Sequence, residues 1–259
     1  MPHDDLTEHP TEHPTADDAA AHARSFGAAA DAYARARPGY PDDAVDFLVG
    51  PARRVLDLGA GTGKFTASLV ARGLDVVAVE PSTRMLAQLR SALPHVEARE
   101  GSAEATGLPD ASVDAVVVAQ AWHWVDPALA VPEVARVLRP GGTLGLVWNV
   151  RDESVPWVSR VWEIAQRGSE HEMRASVETV GEPFGVPEHV RTRFEHVTDR
   201  AGVLDLVASR SYVIVLPEDE RAAVLAGVGR VLDEEFGEGG AIRLPYVTHC
   251  SRFTLSRAV

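Results

Sequence analysis

The sequence predicts an α/β fold built on a doubly wound, mainly parallel sheet, and three observations in its first third carry that prediction. Residues 55–58 are apolar except for Asp57, which suits a parallel strand covered on both faces. The turn that follows, Gly59-Ala60-Gly61-Thr62-Gly63, has glycine at every second position and opens a helix bearing Phe65, Leu69 and Val70. A second apolar run, residues 76–79, ends on Glu80, 21 residues beyond Gly59. Strand, glycine turn, helix and strand with a terminal carboxylate make a nucleoside-binding βαβ unit.

The chemistry of the turn narrows the ligand. Glycines at 59, 61 and 63 remove Cβ where the chain turns sharply and a ligand approaches the backbone, and the Glu80 carboxylate can accept from both hydroxyls of a ribose. The dinucleotide pattern fails, because Lys64 and Thr66 stand where a third glycine counted from Gly61 or Gly63 should be. A P-loop fails too, lacking the four-residue spacer and the Gly-Lys-Ser/Thr ending. Asp57 faces the turn from the strand end, where it would repel a phosphate but can hold an ammonium. Adenosine joined to an ammonium-bearing tail is S-adenosylmethionine, the expected cofactor.

Beyond the turn the chain resembles the class I S-adenosylmethionine-dependent methyltransferases of the type 11 kind. Gly101-Ser102-Ala103-Glu104-Ala105-Thr106-Gly107-Leu108-Pro109 looks like the family's adenine-contacting segment, followed by a fourth strand over residues 112–118. Val137-Leu138-Arg139-Pro140-Gly141-Gly142-Thr143-Leu144 is similar to its helix end, turn and fifth strand. The resemblance implies a Rossmann-like seven-stranded sheet in the order 3-2-1-4-5-7-6, with strand 7 antiparallel and an N-terminal helical lid. It also implies cofactor contacts from Tyr33, Asp57, Gly59, Ala60, Gly61, Gly63, Glu80, Pro81, Ser102, Ala103 and Gln120. Ser102 departs from the pattern, which carries an acid there, though a serine hydroxyl still accepts a hydrogen bond. Phe26, Tyr33, Arg37-Pro38-Gly39-Tyr40-Pro41 and Ala121-Trp122-His123-Trp124-Val125-Asp126 resemble the subgroup of trans-aconitate-type and other small-molecule methyltransferases.

The remaining elements follow in order. Residues 1–20 repeat Thr-Glu-His-Pro and have Leu6 as their last large apolar residue, which predicts a disordered acidic, His-rich tail. Residues 21–259 are expected as one domain: lid helices over 21–50, a cofactor-binding core over 51–150, and substrate cover with C-terminal strands over 151–259. Alanine-rich residues 21–37 predict a helix with Phe26 and Tyr33 on one face, ended by Pro38 and Pro41, and residues 42–48 a short second helix. Its roles as core packing and as a lid stand about level. Ser82 caps a helix reaching about Ala92, and residues 95–98 supply a third strand. Residues 127–138 are helical, 143–149 form strand five, and 155–166 an amphipathic helix with Trp157 and Trp162. Strand, helix and helix follow at 191–197, 202–209 and 218–236, and residues 242–255 make the last strand, bent at Pro245.

Composition limits the partners. The chain has 259 residues, 45% of them hydrophobic, enough for a full core, and its net charge of −13 opposes a nucleic-acid partner. Cys250 is the only cysteine, so no internal disulfide forms and no CxxC site exists. No apolar run reaches membrane-spanning length and no secretory pattern opens the chain, so the expected location is cytoplasmic, with no membrane partner. His3, His9, His13 and His22 lack accompanying cysteines, and no metal is assigned.

Open α/β sheets bind ligands outside the carboxyl ends of their strands. Strand four ends at Gln120-Ala121-Trp122-His123-Trp124 and strand five at Trp148-Asn149-Val150-Arg151-Asp152. Trp122, Trp148, Arg151, Arg37 and Tyr40 are therefore candidate acceptor contacts, with Trp148 also readable as core. His123 is a candidate general base for a hydroxyl or amine acceptor, or a strand-end residue that orients its neighbours. A carboxylate acceptor needs no base, and Arg151 or Arg37 could orient it. The expected activity is methyl transfer to a small organic molecule, most readily at a carboxylate or hydroxyl oxygen. The alternatives are an RNA or protein methyltransferase, a non-catalytic S-adenosylmethionine-binding protein and, more distantly, an NAD-dependent oxidoreductase.

Overall fold

The computed structural model describes residues 37–166, 180–237 and 239–256. Within them, α1 (Asp42–Val49) precedes β1 (Arg54–Leu58), α2 (Lys64–Val70), β2 (Asp75–Glu80), α3 (Thr83–Ala92), β3 (Glu97–Glu100) and β4 (Val113–Ala119). A single 3-10 turn (Trp122–Trp124) leads to α4 (Pro127–Val137), β5 (Leu138–Arg151) and α5 (Pro156–Ala165). The chain then forms β6 (Glu188–Thr198), α6 (Arg200–Ala208), α7 (Ser211–Ile214), α8 (Glu218–Phe236) and β7 (Ile242–Thr254).

The seven strands form one sheet in the order β3-β2-β1-β4-β5-β7-β6. Only β7 is antiparallel, pairing with β5 on one side and β6 on the other. The central strands carry the apolar runs seen in the sequence, and Val55, Leu56, Val77, Val79, Val116 and Leu146 are fully buried. Helices on both faces cover them, as a parallel sheet requires. One core layer joins β1, β2, β4 and β5 to α4, and a second lies under α1 and α2. A third, around Trp162 and Tyr246, packs α5, α6 and α8 against β7.

Several expectations shift. The third strand lies at Glu97–Glu100 rather than 95–98, because backbone pairing with β2 runs from Val77↔Glu97 to Glu80↔Glu100. As an exposed edge, β3 needs no apolar alternation, so pattern alone misplaces it. Strand five begins earlier, with Leu138 pairing to Val113 before the register jumps to Thr143↔Ala115. The short α7 was not foreseen. Helix α1, within the expected lid span 21–50, packs Ala44, Val45 and Leu48 fully buried against the sheet. Residues 21–36, including the expected helix with Phe26 and Tyr33, lie outside the described residues, as does the 1–20 tail.

Candidate active site

A cavity opens where the strand order reverses, above the carboxyl ends of β1 and β4. Asp57, Gly59, Ala60, Gly61 and Thr62 line it from the first strand and its turn, with Lys64 and Phe65 from the start of α2. Ala119 and Gln120 line it from the end of β4, and Asn149 from β5. Arg37, Pro38 and Tyr40 line it from a strap before α1, and Arg210 and Tyr246 complete the lining.

The turn has the shape its glycines allow. Gly59 has φ +71° and a Cβ there would stand 2.9 Å from the Ala121 Cβ. Gly63, which caps α2, has φ +89° and a Cβ there would stand 2.9 Å from Leu89. Glu80 fastens this turn to the next helix: Gly61 N–H donates to one carboxylate oxygen at 2.8 Å and Ser82 N–H to the other at 2.9 Å. Each oxygen keeps a lone pair for a further donor. Burial raises the Glu80 pKa above the usual carboxylate value, while the Ser82 and Gly61 amides pull the other way.

Asp57 is fully buried. The Thr66 hydroxyl donates to its Oδ2 at 2.6 Å, whereas its Oδ1 makes no hydrogen bond among the described residues. Burial pushes its pKa up to about 7; Thr66 opposes the rise and the nearby Glu80 charge adds to it. A buried carboxylate with an open acceptor beside a glycine turn fits a ligand that brings a cation, and that is the position an S-adenosylmethionine ammonium would take.

The strap is held by its carbonyls. Lys64 Nζ donates to the Arg37 carbonyl oxygen, and Asn149 Nδ2 to that of Gly39 at 2.9 Å. Asn149 Oδ1 accepts from Thr248 at 2.7 Å, tying strap, β5 and β7 together. Tyr40 meets Phe65 edge to face, ring centroids 4.8 Å apart. Gln120 adopts φ +62°, unusual for a residue with a side chain, and its amide donates to the Asn149 carbonyl at 3.3 Å.

The structure thus gathers Asp57, Gly59, Ala60, Gly61, Gln120, Arg37 and Tyr40 around one cavity, with Glu80 bonded to its turn. Gly63, Pro81, Ser102 and Ala103 stand outside the lining. Tyr33 lies outside the described residues. Four strand-end candidates stand outside the cavity lining. Trp122 and Trp148, 2% and 6% exposed, pack in the central core, the alternative already open for Trp148, where large aromatic faces flanking a sheet bury against it. His123 packs between Trp124 and Trp148, at ring distances of 4.3 and 5.1 Å, and does not line the cavity. Arg151 stays just behind the lining, paired with Glu153 at 3.1 Å and lying 4.4 Å over the Trp162 ring. Missed by the sequence were Lys64, Phe65, Asn149, Arg210 and Tyr246. Asn149 could have been found as a polar residue ending a buried strand; Arg210, in a Ser-Arg-Ser step between helices, looks like ordinary surface.

Comparison with known proteins agrees with this geometry. Residues 56–146 match the profile of a methyltransferase domain. An uncharacterised methyltransferase of Mycobacterium tuberculosis (strain ATCC 25618 / H37Rv) is 52% identical over 235 residues, spanning 90% of this chain and 96% of its own. The chain belongs to the S-adenosylmethionine-dependent methyltransferases. Among solved structures, one from Anaeromyxobacter dehalogenans assigned as a type II methyltransferase superposes with a TM-score of 0.64 at 30% identity. The match covers 85% of this methyltransferase and 97% of that chain. The trans-aconitate 2-methyltransferase of Azoarcus sp. (strain BH72) is 31% identical over 202 residues, 71% of this methyltransferase and 79% of that protein. Among the described residues there is no helix long and apolar enough to cross a membrane and no cluster of metal-ligating side chains. The four N-terminal histidines lie outside those residues.

Proposed function

We propose that this methyltransferase binds S-adenosylmethionine through Asp57, the Gly59–Gly61–Gly63 turn and Glu80, and methylates an oxygen of a small organic molecule. The observation that carries the reading is the cavity itself. A buried carboxylate with an open acceptor, a glycine turn and a strap line one enclosed space at the switch point of the sheet.

The cofactor supplies an already activated methyl group, so the chain's own residues have only to position the acceptor and exclude water. Asp57 holds the ammonium end, and the two free lone pairs on Glu80 receive the ribose. Ser102 and Ala103, in the loop after β3, border the adenine. Tyr40, Phe65 and the strap shield the methyl end. A small acceptor accords with a cavity lined by Arg37, Tyr40, Arg210 and Tyr246, and with the trans-aconitate methyltransferase among the relatives. The net charge of −13 argues against a nucleic-acid acceptor.

The test is calorimetric titration with S-adenosylmethionine, S-adenosylhomocysteine and NAD, followed by a transfer screen over trans-aconitate, other small acids, phenols and amines. Binding of both sulfur nucleosides that Glu80→Ala abolishes, without NAD binding, supports the reading. No sulfur-nucleoside binding overturns it.

A further inference from the structure

The cavity lining has a charge pattern at odds with the rest of the molecule. In a chain of net charge −13, the cavity is lined by Arg37, Lys64 and Arg210 against the single carboxylate of Asp57. Arg210 is the unusual member. It sits between α6 and α7, is 92% withdrawn from solvent, and has no carboxylate within ion-pairing distance among the described residues. Among the described residues its Nε makes no hydrogen bond, and neither does the hydroxyl of Tyr246, which also lines the cavity. Its electrostatic neighbours include two more guanidiniums, Arg37 and Arg151. The nearby Glu153 carboxylate is taken up by Arg151, whose Nη2 lies 3.1 Å from it. Burial and the two like charges bring the Arg210 pKa down to about 9.

A guanidinium buried without a counter-ion is costly, and an incoming anion removes that cost. We propose that Arg210, with the Tyr246 hydroxyl beside it, is the carboxylate-binding subsite of the methyl acceptor, so that the acceptor is a small organic acid. The inference rests on the methyl-transfer reading and deepens it by naming the acceptor's class. The planar fork of Arg210 matches a carboxylate through paired N–H···O bonds, and Tyr246 can donate a third. A monocarboxylate suits the site better than a phosphate ester, because a dianion would share the same cavity with the Asp57 carboxylate. Lys64 is committed to the strap through the Arg37 carbonyl.

The experiment uses the full chain saturated with S-adenosylhomocysteine, titrated calorimetrically in low-chloride buffer with the monocarboxylates benzoate and 4-hydroxybenzoate. Benzamide and phenyl phosphate serve as neutral and dianionic counterparts. The expected result is binding of at least one acid and not of benzamide or phenyl phosphate. Arg210→Met should weaken the acid by about tenfold or more, and Arg210→Lys by less, while affinity for S-adenosylhomocysteine stays within about twofold and thermal melting shows both variants folded. Binding of none of the acids overturns the proposal, as does preference for phenyl phosphate or benzamide. An Arg210→Met variant that loses S-adenosylhomocysteine instead also overturns it, since Arg210 would then serve the cofactor's own carboxylate. Failure of the unaltered protein to bind S-adenosylhomocysteine is a different failure: it removes the methyl-transfer reading itself.

Discussion

Asp57 makes stability and cofactor binding run in opposite directions with pH. Burial holds its folded-state pKa at about 7 against an ordinary value of 3.8. Between those values the unfolded chain has released the proton and the folded chain still holds it, so folding takes up a proton there. Stability is therefore greatest below about pH 4, as far as this group is concerned, falls as pH rises toward 7, and is flat above. Three pKa steps at 1.36 kcal/mol each set the fall at about 4 kcal/mol, and Glu80, raised in the same direction, steepens it. The cofactor's ammonium prefers the ionised carboxylate, so affinity for S-adenosylhomocysteine should climb up to about tenfold per pH unit below 7 and level off above it. Urea denaturation of the ligand-free protein at pH 5 and pH 8 measures the first effect, and calorimetric titration over the same range the second. Asp57→Asn, which cannot ionise, should flatten most of the stability slope and bind the nucleoside weakly at every pH. If the variant and the unaltered protein show parallel pH profiles in both assays, Asp57 is neither the titrating group nor the ammonium's partner.

Glu80→Ala removes the acceptor for the Gly61 and Ser82 amides as well as for a ribose; loss of two charge-assisted bonds should weaken S-adenosylhomocysteine by about a hundredfold or more, measured by calorimetry. Gly63→Ala should lower stability by about 2–4 kcal/mol in denaturant titration, since the new methyl would meet Leu89 at 2.9 Å with the backbone at φ +89°. His123→Ala should leave kcat on an identified acceptor within about tenfold, because a general base contributes about 10²–10⁴ and His123 stands outside the cavity lining; a larger loss would return it to the chemistry.

The half of the site formed by the βαβ unit was legible because its requirements are local. A buried strand, a tight turn and a strand-terminal acid each leave a residue-type signature within a 26-residue window from Val55 to Glu80. The part of the cavity that carries the proposed acceptor subsite was not legible for the opposite reason. Arg210 and Tyr246 belong to different elements, and they meet Arg37 only through the sheet order that places β7 beside β5. The tryptophans misled because a strand-end aromatic has the same sequence appearance whether it faces a ligand or, like Trp122, the core. Strand β3 misled because an exposed edge is defined by backbone pairing, which carries no apolar pattern.

The fastening of the strap bears on how the protein can change. Lys64 and Asn149 grip residues 37–40 by backbone carbonyls alone, and carbonyls are the same whatever side chain the residue carries. Neither of these two bonds depends on which side chain stands at position 37 or 40, so on the proposed reading the strap's side chains can be varied while its fastening to Lys64 and Asn149 is kept. Acceptor preference and cofactor retention become separable traits, and a library diversified at positions 37 and 40, with Lys64 and Asn149 kept, is where new specificities on this scaffold should be sought.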